Sequence, residues 1–323
     1  ILEFSKNYSM SRLYDFLYNE YNIDCSLDQD IIKSFTIDWS NIPGGNAELL
    51  VRPINNLECS IILKICQLNK IPITISAGQT NLTGSATPFG GIILSTSKLN
   101  QDNIIVNTEK KYVVTPVGVT LESMRNEVLK QSQSKLHYPV DPTSRHDAYV
   151  GGTLSCNASG FIPGIKGATR YWVREIEFLL LNGYVLKIKR GQYFSKDGVF
   201  KLICNNQEIN IPVPKYNRPK IKNASGPYSA LNKEIDFIDL IIGSEGIFGM
   251  ITSCKLNLSI KPKDHLELFL RLHSEDKAIA LHSYLYKEFN SDLSVITALE
   301  YFGYNCQNYM KHKDFLFKND SQV

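Results

Sequence analysis

No apolar run in these 323 residues approaches the roughly eighteen needed to cross a bilayer as a helix, so no integral membrane segment is expected. Charge of one sign is scarce too. Thirty-five Lys and Arg against 32 Asp and Glu leave a formal +3, spread along the chain, which is too little to argue for nucleic acid as a partner. No G-x-G triplet occurs anywhere, which excludes the Rossmann type of dinucleotide site with its helix-borne phosphate cradle. The seven cysteines are odd in number and none is spaced C-x-x-C, which argues against a disulfide framework or a structural zinc. They suit a reducing compartment, and a cytoplasmic location is the default. No leader of charged then apolar residues precedes Ile1, the pattern of a processed or trimmed chain.

What is present is a core-forming composition, 43% hydrophobic and 21% charged, at a length sufficient for two domains. The stretch Ser76 to Ala86, SAGQTNLTGSA, lies between the apolar runs Ile71 to Ile75 and Ile92 to Leu94 and reads as a tight loop between two buried strands. Gly78 and Gly84 can take positive φ there, and successive backbone N–H groups in such a turn form a concavity suited to phosphate oxygens.

In chain order, Ser11 to Tyr21 is a helical candidate within an N-terminal appendage, residues 1–45. Leu49 to Val51 reads as a strand. Asn56 is the expected cap of a helix with Ile61, Ile62, Ile65 and Leu68 on one face. This small α/β unit closes near Asn107, and Tyr112 to Thr115 begins a second, followed by a helix capped by Thr120. His137 to Ser144, with two prolines, must be extended or turned. Val173 to Leu180 alternates and turns at Asn182 and Gly183 into Val185 to Ile188, a hairpin. Residues 191–235 are expected to run irregularly over the surface. Beyond Pro262, strands are expected at His265 to Leu272 and Val295 to Tyr301, around a helix starting at Ser274 with a buried stripe of Ala278, His282, Leu285 and Phe289.

Four segments in order, SAGQTNLTGSA, DPTSRHDAYVGGTLSCNASG from Asp141, GATRYWVREIEFLLLNG from Gly167 and GSEGIFGMIT from Gly243, resemble the signatures of the FAD-linked oxidase family. This is the flavin fold shared by vanillyl-alcohol oxidase and p-cresol methylhydroxylase, and the resemblance is to its glycolate oxidase and D-lactate dehydrogenase branch. It implies an α+β fold. A two-subdomain PCMH-type FAD-binding domain would occupy residues 46–262, with the start of an incomplete α/β substrate-binding cap at 263–323. It implies non-covalent FAD, because Thr80 stands where some branches carry a flavin-linking histidine. The implied cofactor contacts are Ser76, Ala77, Gly78, Gln79, Thr80, Asn81, Leu82, Gly84 and Ser85 in the first loop. They continue with Asp141, Pro142, Thr143, Ser144, Gly151, Gly152, Thr153, Ser155, Asn157 and Ala158, and end with Gly243, Glu245, Gly246, Gly249 and Ile251. Ser76 replaces an arginine common in the family.

The implied activity is hydride transfer from a small 2-hydroxyacid, D-lactate, glycolate or 2-hydroxyglutarate, to FAD, with the electron acceptor unspecified. An alkyl-dihydroxyacetone-phosphate synthase-like transferase and a flavin-binding fragment without turnover are the alternatives. None of the six histidines sits in the family's metal-binding cap motif, so no metal is assigned and no catalytic base is identified. His137, His146 and Arg145 are the residues to watch. With about sixty residues after Pro262, too few to cover a flavin, the 323-residue chain is expected to turn over hydroxyacids poorly or not at all.

Overall fold

The computed structural model describes residues 9–204, 206–219, 221–230 and 233–309. The chain enters through α1 (Met10–Asp15), which continues without a break as a wider helical turn over 16–20, so the helix expected from Ser11 to Tyr21 forms. β1 (Cys25–Ser26), α2 (Gln29–Lys33), β2 (Leu49–Val51), α3 (Asn56–Asn69), β3 (Ile73–Ser76) and β4 (Ile92–Ser95) follow. They build a four-stranded sheet in the order β1-β2-β4-β3, parallel except for the edge strand β1. The segment read as an appendage thus supplies an edge of this sheet, and its Leu13, Leu17 and Ile23 are buried in the main core. Because β3 and β4 are parallel, the loop between them is a crossover of fifteen residues, 77–91, rather than a tight turn.

Two consecutive asparagines stand at the start of α3, and Asn55, not Asn56, is its cap. Asn55 has the extended backbone that lets its Oδ1 accept from the Glu58 N–H at 3.0 Å, while Glu58 reaches back to the Ile54 N–H at 2.9 Å. This is a capping box. Asn56 lies inside the helix and donates instead to Glu177 of a later strand. Leu68 is exposed, and the buried face is completed by Cys59, Leu63 and Cys66. Replacing Asn55 by Ala should destabilise the protein by about 1 kcal/mol in urea unfolding, and the same change at Asn56 should not remove a cap.

The second sheet begins at β5 (Ile105–Asn107), which pairs with β6 (Tyr112–Pro116), so the boundary of the first unit falls before Ile105 rather than after Asn107. Next come α4 (Leu121–Gln131), capped by Thr120 as expected, β7 (Leu136–His137), α5 (Val150–Ser155), α6 (Thr169–Trp172), β8 (Val173–Leu180) and β9 (Val185–Lys189). β10 (Val199–Cys204), β11 (Gln207–Pro212), α7 (Phe237–Ile241), β12 (Gly249–Asn257), β13 (Ser259–Ile260) and α8 (Glu275–Glu288) complete the elements used below. The sheet order is β5-β6-β12-β8-β9, antiparallel throughout. β8 and β9 form the hairpin that Asn182 and Gly183 signal, with Gly183 at φ +85°.

Residues 191–235 are not a plain surface excursion. They contain the hairpin β10–β11, whose alternation buries Phe200 and Leu202, and Phe200 meets Phe237 edge to face at 5.2 Å. One continuous core joins both sheets, with Ile62 and Leu94 from the first and Val117, Leu154, Phe178 and Ile242 from the second.

Beyond Pro262 two expectations fail. Among the described residues neither 265–272 nor 295–301 is a strand, since an alternating pattern forms one only where a neighbour completes its ladder. α8 forms and Ser274 caps it, but no side chain on it is buried, including the stripe from Ala278 to Leu285.

Candidate functional site

Three loops converge where the two sheets meet. The first leaves β3 at Ser76, whose side chain is fully buried and whose carbonyl accepts from Thr96 Oγ1 at 3.2 Å. Ser76, at the position of the family's arginine, is not among the residues that line the cleft. The loop then turns through Gln79, at φ +54°, and Gly84, at φ +79°. The backbone N–H groups of Gly78, Gln79, Thr80 and Asn81 have no acceptor among the described residues. Consecutive unpaired donors of this kind are what a bound oxyanion would satisfy.

The loop is held from behind by Asp38, which the sequence reading did not single out. Its carboxylate, 2% exposed, accepts from Asn81 Nδ2 at 2.7 Å, from the Ala86 N–H at 3.2 Å and from the Ser40 N–H at 3.0 Å. The Trp39 N–H also donates to the Gln79 carbonyl at 3.0 Å, and Gln79 Nε2 donates to the Ile37 carbonyl at 2.8 Å. Burial alone would raise the Asp38 pKa, but the hydrogen bonds from Ser40, Asn81 and Ala86 outweigh it and hold the carboxyl below its ordinary value.

The second segment runs from Ser144 through α5. Its paired glycines let it lie close to its neighbours: a Cβ at Gly151 would stand 2.8 Å from the Val117 Cβ, and one at Gly152 would stand 3.2 Å from the Ala77 Cβ. The third, 243–249, docks on the end of α5 through the Gly243 N–H to the Leu154 carbonyl at 3.0 Å and the Glu245 N–H to the Ser155 carbonyl at 2.9 Å. Thr83 closes the rim by donating to Glu245 Oε1 at 2.8 Å.

The cleft between these segments is lined by Ala77, Gly78, Gln79, Thr80, Asn81, Ser85, Ser144, Gly151, Gly152, Thr153, Ser155, Ala158, Glu245, Gly246, Gly249 and Ile251 among the residues singled out in sequence. It is also lined by Ile75, Ala86, Thr96, Ala148, Tyr149, Cys156 and Met250, which sequence reasoning missed. Ala86, Ala148, Tyr149, Cys156 and Met250 lie inside the quoted motifs without having been picked out individually, whereas Thr96 arrives from the end of β4 with no local signal. Ser76, Leu82, Gly84, Asp141, Pro142, Thr143, Asn157 and Gly243 do not line it. Leu82 points to solvent at 75% exposure. Asp141 is committed elsewhere, paired with Arg145 at 2.8 Å and Arg125 at 3.4 Å, and Arg145 also pairs with Glu122 at 2.9 Å.

Among the described residues the lining holds no cation. Its one carboxylate is Glu245, and burial, with help from Glu245, pushes the Cys156 thiol up to about 11, so it is no ready nucleophile. His137 lies outside the cleft in β7, and burial and the charges of Arg125 and Lys261 lower its pKa, leaving it neutral at pH 7. His146 is exposed and also outside. Among the described residues no cluster of His, Cys, Asp and Glu could hold a metal, and no helix is long and apolar enough to cross a membrane.

Two sheets meeting over a narrow cleft of small side chains and unpaired backbone donors, without a Rossmann triplet, describe a fold that binds a phosphate-linked cofactor through its main chain. Residues 47–189 match the family described as "FAD binding domain". The chain is 31% identical over 255 residues to a D-lactate dehydrogenase of Anaerostipes hadrus, covering 78% of this chain and 45% of that protein. It is 29% identical to the glycolate oxidase subunit GlcD of Bacillus subtilis, covering 80% and 46%, and 27% identical to a mitochondrial D-2-hydroxyglutarate dehydrogenase of Danio rerio, covering 73% and 37%. The chain thus spans less than half of each of these relatives. A solved alkyldihydroxyacetonephosphate synthase superposes with a TM-score of 0.56 at 16% identity, over 80% of this chain and 42% of that one, a likeness of fold alone.

Proposed function

We propose that this chain is the flavin-binding part of an oxidoreductase that takes hydride from a small 2-hydroxyacid. The observation that carries the cofactor half is the run of unpaired backbone donors from Gly78 to Asn81, set against the small-residue wall of α5. The main-chain donors of this loop hold the pyrophosphate, and the missing side chain of Gly152 lets α5 pack directly against Ala77 of the same loop. The residues from Ser144 to Ala158 and from Glu245 to Ile251 form the remaining walls. FAD supplies the hydride acceptor when bound. Thr80 lines the cleft and offers no imidazole, so the attachment is non-covalent. The substrate half is supported by the relatives, whose names are those of D-lactate, glycolate and D-2-hydroxyglutarate enzymes.

The same reading divides the chain into a PCMH-type flavin domain at 46–262, a preceding segment that braces it, and the beginning of a substrate cap from 263. With all seven cysteines free, a reducing compartment such as the cytoplasm suits it.

Acid precipitation of the flavin-loaded protein should release the yellow colour into the supernatant, and colour kept in the washed pellet would contradict the non-covalent assignment. Anaerobic mixing with D-lactate, glycolate or D-2-hydroxyglutarate, followed at the flavin absorbance, tests the reaction. Bleaching by one of them supports the hydroxyacid reading. Acyl exchange on dihydroxyacetone phosphate without bleaching would transfer the chain to the ether-forming class. Of the described residues, only Glu245, Tyr149 and Cys156 offer the cleft titratable groups, so turnover by the 323 residues alone should be slow.

A further inference from the structure

A second cavity, of about 470 Å³, opens on the other side of the 156–158 segment and shares no lining residue with the first. Its wall carries Arg170, Arg190, Arg218 and Lys222 against the carboxylate of Asp239. Glu300 lies within electrostatic reach of Lys222, which still leaves two positive charges in excess. The cations are held in place largely by neutral carbonyls. Lys222 Nζ donates to the carbonyls of Gly160 and Ile162 at 2.7 Å, Arg218 Nη1 to that of Ser225 at 2.5 Å, and Arg170 Nη2 to that of Ile242. Carbonyls satisfy the donors without neutralising the charge. Arg190 likewise donates to the carbonyls of Val173 and Arg170, but it is also paired with Asp239 at 2.8 Å.

Two buried donors on this wall remain unpaired. Asn157 is fully buried, and its Oδ1 accepts from the Arg170 N–H at 2.9 Å, but its Nδ2 has no partner. Arg170, with its side chain 11% exposed, has an Nε that makes no hydrogen bond and stands 4.0 Å from the nearest Asp239 oxygen. The Tyr228 ring is flanked by both guanidiniums, Arg218 at 4.3 Å and Arg170 at 4.8 Å from its centroid, which fixes their forks. Burial and the Arg218 charge draw the Arg170 pKa down to about 10, against the opposing pull of the Asp239 carboxylate.

We infer that this cavity is a binding site for a small oxyanion of at least two negative charges, a polycarboxylate or a phosphate compound, gripped by Arg170, Arg218 and Lys222 and by the amide of Asn157. Guanidinium forks match the paired oxygens of both chemistries, and unpaired buried donors are costly until an acceptor arrives.

The test is calorimetric titration and thermal unfolding of the flavin-loaded chain with citrate and with pyrophosphate, against acetate and chloride at matched ionic strength. Citrate or pyrophosphate should bind at one saturable site and raise the midpoint where acetate does not, and the tighter of the two identifies the class. Arg218→Gln should weaken that binding at least tenfold. Asn157→Asp keeps the acceptor for the Arg170 N–H and sets a carboxylate oxygen among the cations. It should therefore unfold no earlier than wild type and lose the anion response. Absence of a saturable response beyond the controls, or equal responses in wild type and both variants, overturns the site. Flavin content, read by absorbance in the same samples, separates this from the cofactor assignment: a chain without flavin that keeps the anion response refutes only the latter.

Discussion

Gly152→Val should leave a folded protein that no longer retains flavin, with FAD affinity reduced at least a hundredfold, about 2.7 kcal/mol. Gly152 lies in α5 without positive φ, so the backbone accepts a side chain there. What it lacks is space. Its Cβ would already stand 3.2 Å from the Ala77 Cβ, so the two segments touch at this point, and the two branches of valine would push the 77–81 loop and α5 apart and spoil the cleft that both line. Flavin absorbance per protein and far-ultraviolet circular dichroism together decide: normal occupancy in a folded variant would remove the cleft from consideration. Gly84 and Gly246, the other obvious glycines, are less clean probes. A Cβ at Gly84 would strike Ile42 at 2.2 Å, away from the cleft, and Gly246 at φ +81° would be strained by any side chain.

Asp38→Ala should loosen the same loop from behind, and both stability and flavin affinity should fall. Removing the carboxylate strands the Asn81 amide and the Ala86 N–H in a buried site, at about 1–3 kcal/mol for each unpaired donor. The melting temperature should drop by on the order of 5–10 °C. Asp38→Asn, which retains one acceptor oxygen, should recover part of both losses, and equal damage from the two variants would show that the loop does not depend on this acceptor.

The acid limb follows from the same carboxylate. Its folded pKa is depressed below the unfolded value of about 3.9, so its contribution is complete above that value and disappears as pH falls through the folded one. Flavin release on acidification should therefore set in at higher pH for Asp38→Asn than for wild type.

The glycine-rich loops, the 3.6-residue stripes of α3 and α4 and the turn at Gly183 were legible because each is a local pattern. The cofactor loop could be located from Gly78 and Gly84, but not the direction in which each side chain points. Ser76 and Asp141 carry family signatures and do not line the cleft, Asp141 being turned to a cluster of arginines. Asp38 was invisible because the loop partners that matter, Asn81 and Ala86, lie some forty residues away, and no periodicity reports a contact of that range. The second cavity was equally hidden, since Arg170, Arg190 and Arg218 are scattered in sequence and meet only through the fold. Past Pro262 the error was of another kind: HLELFLRL alternates as a strand should, yet a strand is completed by its neighbour, and none of the described residues provides one.

The position of β12 bears on how the protein must assemble. The strand that begins at Gly249 lies between β6 and β8, so the middle of the five-stranded sheet is the last of its strands to leave the ribosome. Until residue 257 has emerged, β6 and the β8–β9 hairpin each present an unpaired edge, and the partner that closes both is well over a hundred residues from β6. Ring closure of that length slows folding and prolongs the exposure of apolar strands. The first sheet, whose strands all precede residue 96, needs nothing from β12, whereas the second sheet and the cleft wall that docks through Gly243 and Glu245 on the end of α5 are incomplete until this stretch of the chain has been made.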